Sequence, residues 1–424
     1  MKFSKLRQLI PVLSVGLLVA TLLTACSITS VDYVYVASSS GIQGYAADSQ
    51  SGALRTFEPA VTSGVSSPVA MAVTSDYANL YLANLGAGSS GGTIVHYAIG
   101  LNGGLTAKDT LTLGDNPVSL AVNTAGTYLY VVSCSSSAIS PAFLCSTTGK
   151  LTGYALSSGA IGTAASQSTL DLSGVSSAYA TDILVPTGVS VLANNGSNIV
   201  GNAVYVTAYD QSAYNPGGST TSSANPGWVF GFTIGSGGSL TPSAESPYQA
   251  GVKPAAIAAD PTDRFVYVTD YASNELIGYT ILDINTPDIH LNFMTSGPFR
   301  TGSEPSAIVI DPRGKFIYVS NALDSTISAY AITQATGNPT AAVNPTGSPF
   351  NTTDTEPVAI TVDPALGRFV FTANEEGNSV SGFRLNSTSG ALSPTQSTPY
   401  PTGSKPTALI SIPHGNHATQ LVTP

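Results

Sequence analysis

Charge is scarce in this chain. Only 9% of its 424 residues are Asp, Glu, Lys or Arg, and the basic sign is the rarer, 14 against 24. Such a surface repels a phosphate backbone, so nucleic acid is excluded as an expected partner. Lys and Glu are few while Gly, Ser, Thr, Ala, Asn and Pro abound. That balance favours strands and tight turns over helices. No apolar run long enough to cross a membrane follows the first 26 residues. EF-hand, phosphate-loop and dinucleotide fingerprints are also missing. Cysteine is limited to three residues, Cys26, Cys134 and Cys145.

The first of these explains the N-terminus. Lys2, Lys5 and Arg7 precede a mostly apolar run from Leu9 to Leu23, which ends in Leu23-Thr24-Ala25-Cys26. This is the layout of an export signal. Its last four residues resemble the lipobox of bacterial lipoproteins, whose cysteine is lipidated and becomes the new N-terminus. Residues 1–26 are therefore expected to be a signal peptide and Cys26 a membrane anchor. Ser27 stands where an Asp would direct inner-membrane retention, which implies the outer membrane. Without this segment 11 basic and 24 acidic residues remain, a net charge near −13. Cys134 and Cys145 are then an even pair in a polar, Ser-rich stretch of an exported chain, and the expectation is a local disulfide.

Beyond residue 26 the chain repeats. A proline opening a short strand-like run recurs at Pro68, Pro117, Pro186, Pro254, Pro305, Pro357 and Pro406, at intervals of 49 to 69 residues. Each is followed by a turn, clearest in Asp260-Pro261, Asp311-Pro312 and Asp363-Pro364. Then comes an apolar, aromatic-rich run such as RFVYVTD from Arg264 or KFIYVSN from Lys315. Continuous apolar character marks a strand covered on both faces. A third run (ELIGYTI from Glu275, SVSGFRL from Ser379) and a looser outer one complete the unit. A period near fifty built from such strands indicates propeller blades. Small residues two places after each proline, from Ala70 to Ala408, suit inner strands converging on an axis. The ends are complementary. Residues from Asp32 supply three strands and lack the proline strand, whereas Pro406 to Ile412 is a proline strand alone. Joined, they make the seventh blade and leave no free edge. The expected organisation is an all-β, seven-bladed propeller of four-stranded antiparallel blades over residues 27–413, with a tail at 414–424.

The YVTD, YVSN and FTAN runs after Asp-Pro turns resemble the YVTN-type repeats of the lactonase-like seven-bladed propellers, and the resemblance covers the chain after the signal. The family includes 6-phosphogluconolactonases and exported propellers without assigned activity. Its enzymes commonly carry Gly-Pro-Arg-His at an inner strand. Here every such proline is followed by Val, Thr, Ala or Ser. The Asn-Glu that often follows the aromatic strand is matched by Asn374-Glu375.

Loops entering the inner strands surround one mouth of a propeller. The residues before the seven prolines are Ser67, Asn116, Val185, Lys253, Glu304, Glu356 and Lys405. Four neighbouring blades thus present Lys, Glu, Glu, Lys. Glu304 and Glu356 are candidates to act as acid and base or to hold Ca2+ or another divalent cation. The same four also read as a self-compensating charged rim. A second column closes the aromatic strands and includes Asp270, Asn321 and Asn374, with Glu375 beyond. These could bond a sugar or lactone, or could cap turns with their own side chains. Two long insertions, Cys134 to Thr148 and Tyr209 to Pro226, should emerge on the same face. Tyr209 and Asp210 suit a carbohydrate or protein ligand. His96 and His290 show no partner in sequence. The leading functional expectation is a cell-envelope binding module for a carbohydrate or protein. The alternatives are a lactone hydrolase acting outside the cytoplasm and a structural scaffold.

Overall fold

The computed structural model describes residues 29–414, apart from 58–59, 87–89, 139–143, 180, 194–201, 215–225, 285, 287 and 341–347. Cys26 and the tail beyond His414 lie outside the described residues. Seven antiparallel sheets succeed one another around an axis, as the repeat predicts. We number the blades from the one opened by Pro68. Their inner strands are Pro68–Val73, Asn116–Val122, Leu184–Val191, Pro254–Ala259, Pro305–Ile310, Pro357–Val362 and Pro406–Pro413. Each packs on the next, and the last returns to the first.

The second strands carry the core. Phe265–Asp270, Phe316–Asn321 and Phe369–Asn374 are buried at every position. The recurrent tyrosine inside them has a specific task. The hydroxyls of Tyr35, Tyr81, Tyr267 and Tyr318 donate to the carbonyls of Gly103, Gly159, Gly337 and Gly390, each in an outer turn of the following blade. One residue thus buries a ring and ties two blades together without orphaning its hydroxyl. The four glycines all have φ between +72° and +85°. A Cβ on Gly337 or Gly390 would strike the ring of Phe265 or Phe316. Left-handed backbone and close approach therefore both demand glycine there.

The Asp-Pro turns follow the same economy. Asp260 and Asp311 are fully buried. Each carboxylate accepts the two backbone N–H groups that start the second strand, those of Arg264 and Phe265 and of Lys315 and Phe316. The outer strand departs from expectation. In blades three to six it is interrupted, and both pieces pair with the third strand: His290–Phe293 and Phe299–Arg300 line opposite ends of the same outer edge of Glu275–Leu282. Closure is as predicted. Leu54–Thr56, Gly41–Asp48, Ser30–Ser38 and Pro406–Pro413 form one sheet in that order, with Tyr33 opposite Ile412 and Ala37 opposite Ala408.

Candidate functional site

The pre-proline residues are set by a repeated backbone arrangement at the corner between second and third strands. The carbonyls of Lys253, Glu304 and Glu356 accept the N–H groups of Tyr271, Ala322 and Glu375 in their own blades, at 2.8 to 2.9 Å. The N–H groups of Glu304, Glu356 and Lys405 donate to Asn274 Oδ1, Ser325 Oγ and Asn378 Oδ1 of the preceding blades. Glu304 and Glu356 are thereby pinned between two blades. Glu304, Glu356 and Lys405 are held at φ of +55°, +58° and +50°. For side chains larger than glycine this conformation costs about 1–2 kcal/mol each, and strain of this kind clusters at functional sites.

The structure brings the four charged ring residues into one electrostatic group. Lys253 lies against three tyrosine rings, its Nζ 4.5 Å from the centroid of Tyr271, 5.0 Å from Tyr214 and 5.7 Å from Tyr209. Burial lowers its pKa, and Glu304 opposes that shift. The Tyr271 hydroxyl donates to the Glu304 carboxylate, and burial together with this bond raises the Tyr271 pKa. Glu356 is raised by burial and then by Glu375 and Glu376, with Lys405 pulling the other way. Lys405 is bound to Glu376 at 2.6 Å and lies 3.8 Å from Glu375. The mouth thus holds a desolvated lysine, a hydrogen-bonded carboxylate and a second carboxylate whose pKa burial and its acidic neighbours raise.

The disulfide forms. Cys134 and Cys145 are joined, with Cα atoms 5.7 Å apart. They pack with Val185 and Tyr209, and Tyr214 covers the cluster. Gln211 clamps the bridge by accepting the Cys145 N–H and donating to its carbonyl. The described parts of both insertions therefore meet at the ring, and together they build the tyrosine wall around Lys253. Residues 139–143 and 215–225 of these insertions lie outside the described residues.

Other sequence candidates are placed differently. Asp270, Asn321 and Asn374 are fully buried. Asp270 accepts the N–H groups of Val252 and Lys253. Asn321 donates to Thr326 and Ser328, and Asn374 to Ser379 and Ser381. They shape the loops beneath the mouth instead of facing a ligand, because a strand-end amide is needed where two loops turn over each other. Asp210 is also buried and accepts from the backbone and hydroxyl of Ser212. It raises the pKa of Asp182 after that residue's own burial. Tyr209 is buried, and its ring is offered to Lys253 and Tyr214. Glu375 is partly exposed beside Lys405. His96 finds partners the sequence hid, Asp109 at 2.5 Å and Asn79 at 2.8 Å, within its blade. Tyr271, Asn274 and Glu376 were missed. Their shared place at the strand corner, directly after each aromatic run, was the available signal. No group of three His, Cys, Asp or Glu side chains is placed to hold a metal ion among the described residues.

A family model described as lactonase, 7-bladed beta-propeller, matches residues 24–159 and 228–409. The chain belongs to this lactonase family. The unmatched stretch between the two segments contains Tyr209 and Tyr214, so part of the wall at Lys253 lies outside the shared family pattern. The periplasmic gluconolactonase of Pseudomonas aeruginosa has the same fold, with a TM-score of 0.66 and 18% identity over 91% of this chain and 100% of that one. A putative 6-phosphogluconolactonase from Bacteroides uniformis superposes with a TM-score of 0.67 at 16% identity, over 91% of this chain and 100% of that one. The 6-phosphogluconolactonase of Bacillus subtilis is 29% identical over 169 residues, 39% of this chain. The match spans 47% of that relative's length.

Proposed function

We propose that this lactonase-family propeller hydrolyses an uncharged sugar lactone outside the cytoplasm, at the mouth formed by Lys253, Tyr271, Glu304 and Glu356. The carrying observation is the convergence, on adjacent blades, of a desolvated cation with two carboxylates in different environments. In this reading Glu356, whose raised pKa makes it the better base, takes a proton from the attacking water. The water oxygen bonds to the lactone carbonyl carbon. Negative charge then collects on the carbonyl oxygen, where Lys253 and the Tyr271 hydroxyl stabilise it. As the ring C–O bond breaks, the proton held by Glu356 passes to the departing alkoxide, and the product is the open hydroxy acid. Glu304 orients Tyr271 and keeps Lys253 charged against its desolvation.

Four carboxylates, Glu304, Glu356, Glu375 and Glu376, face two lysines, and Lys405 is already committed to Glu376. A phosphorylated substrate would meet this excess of negative charge, which supports an uncharged one. The disulfide favours an oxidising compartment and hence export. Lipidation at Cys26 and placement at the outer membrane extend that reading. Calcium at Glu304 and Glu356 would draw most of its ligands from water, and calorimetry with calcium tests it.

The experiment is a pH-stat assay with glucono-δ-lactone and its 6-phospho form. Glu356→Gln and Lys253→Met should each lower kcat/KM by about 100-fold or more, with the neutral lactone preferred in the wild type. A wild type that turns over no lactone overturns the proposal. Sugar binding without turnover, weakened by Tyr214→Ala, would instead support the binding-module reading, which rests on the tyrosine wall.

A further inference from the structure

The opposite end of the propeller from the mouth carries the reverse charge. A cavity of about 610 Å³ opens there between blades five, six and seven. It is lined by Arg313, Arg368 and Arg384 with Gln50, Asn386 and Ser387, and no acidic side chain is among its lining residues. Three of the chain's 14 Lys and Arg residues thus converge in a chain of net charge −10. Among the described residues only Arg313 of the three has a carboxylate partner, and Arg368 and Arg384 have none. Asp311 pairs with Arg313 at 3.2 Å. Asp363 is buried and accepts the backbone N–H groups of Ala365, Leu366 and Arg368. Asp48 is occupied by Ser51 and the backbone of Gln50 and feels Arg55.

The repeat itself provides a control. Arg264 holds the same position in blade four that Arg368 holds in blade six, at the start of the second strand. Its guanidinium is fully engaged, by the hydroxyl of Thr262 in its own blade and by the carbonyl and side-chain oxygen of Gln334 in the following one. Gln50 is the counterpart of Gln334 in blade seven, but its carbonyl is taken by Arg384 from the third strand of blade six. Arg368 is exposed, and no described residue accepts a hydrogen bond from its guanidinium. The amide oxygen of Asn386 is consumed by the N–H groups of Thr388 and Ser389, so its NH2 donors remain available. Arg313 is spent on Asp311 and the carbonyls of Leu366 and Gly367 and serves as a fixed wall.

We propose that this cavity is a binding site for a phosphate ester, held between Arg368 and Arg384 and distinct from the mouth. A carboxylate is satisfied by one guanidinium fork. A phosphoryl group has oxygens enough for two forks and the neighbouring amide and hydroxyl donors. Volume and lining match a small ligand or a headgroup. The location bears on the source. Ser49, beside Gln50, donates to the carbonyl of Thr29, so the chain enters its first strand next to this cavity. A lipid on Cys26 would sit three residues from Thr29, within about 10 Å of extended chain, which would place the cavity against anionic headgroups.

The test uses the full chain. Calorimetric titration with glycerol 3-phosphate at low salt reads the soluble source. Cosedimentation with phosphatidylglycerol vesicles, against phosphatidylcholine vesicles, reads the lipid source. Arg368→Ala and the double variant with Arg384→Ala should weaken binding of whichever probe binds by about tenfold or more, while Glu304→Gln leaves it unchanged. Calorimetric binding assigns a soluble phosphate ester, and binding confined to anionic vesicles assigns a headgroup. No saturable binding of either probe, or binding equal in the wild type and the double variant, overturns the site. A thermal melt of each variant, expected to match the wild type, separates lost binding from lost fold.

Discussion

At the scale of single residues, Asp32 conflicts most with its surroundings. It occupies the place in blade seven that Arg264, Lys315 and Arg368 hold in blades four to six, yet it is fully buried. No N–H or hydroxyl donor reaches either of its oxygens. Its hydrogen-bonding neighbour is another carboxyl, Asp363, so the contact needs a proton on Asp32. Burial, followed by the charge on Asp363, raises its pKa well above the usual carboxylate range. The unfolded chain releases that proton near pH 4. Between that pH and the raised folded value the native state therefore holds the extra proton, and stability falls as pH rises. Asp32→Asn keeps the shape and removes the titration. Urea unfolding should find the variant more stable than the wild type at pH 7.5, by on the order of 1–3 kcal/mol, with the gap narrowing toward pH 4.5. A variant no more stable than the wild type at pH 7.5 would show that Asp32 is accommodated as an anion.

Among the elements, the cross-linked insertion of blade two does more than close a loop. Its bridge packs beneath Tyr209 and Tyr214, which form two of the three ring faces around Lys253. Replacing both Cys134 and Cys145 with Ser should cost at most about 3 kcal/mol by the loop-entropy argument for a span of this length. The tyrosines would loosen as well, so in the lactone assay KM should rise more than kcat falls. Calorimetric melting and steady-state kinetics check both parts. An unchanged KM in a variant that has lost stability would confine the bridge to a structural role.

For the whole molecule, closure decides stability. Pro406–Pro413 is the inner strand of a blade whose other strands come from the opposite end of the chain, and it packs on the inner strands on either side. Ending the chain at Lys405 would leave Ser30–Ser38 as an open apolar edge and break the ring at one point. Thermal unfolding and light scattering on the truncated protein should show a midpoint lower by at least about 10 °C, or aggregation, since several kcal/mol of burial are lost. Equal midpoints would mean that the remaining six blades sustain the ring alone. The molecule also has two electrostatic ends, a net acidic mouth and an arginine-lined cavity opposite.

Blade number, strand order, the shared seventh blade and the pairing of Cys134 with Cys145 were legible from residue order. Each rests on local periodicity or on a count, and repetition multiplies the signal seven times. The charged ring of Lys253, Glu304, Glu356 and Lys405 was legible for the same reason, as one column of the repeat. Chemistry at those positions was not. Whether a polar strand end such as Asp270 or Asn374 faces solvent or supports a loop depends on which backbone groups lie above it, and those come from distant residues. The tyrosine wall joins residues 209, 214, 253 and 271 from two blades, and the arginine cavity joins three blades. A repeat determines what each blade contains; the environment of a charge depends on how neighbouring blades meet, and only the tertiary structure decides that.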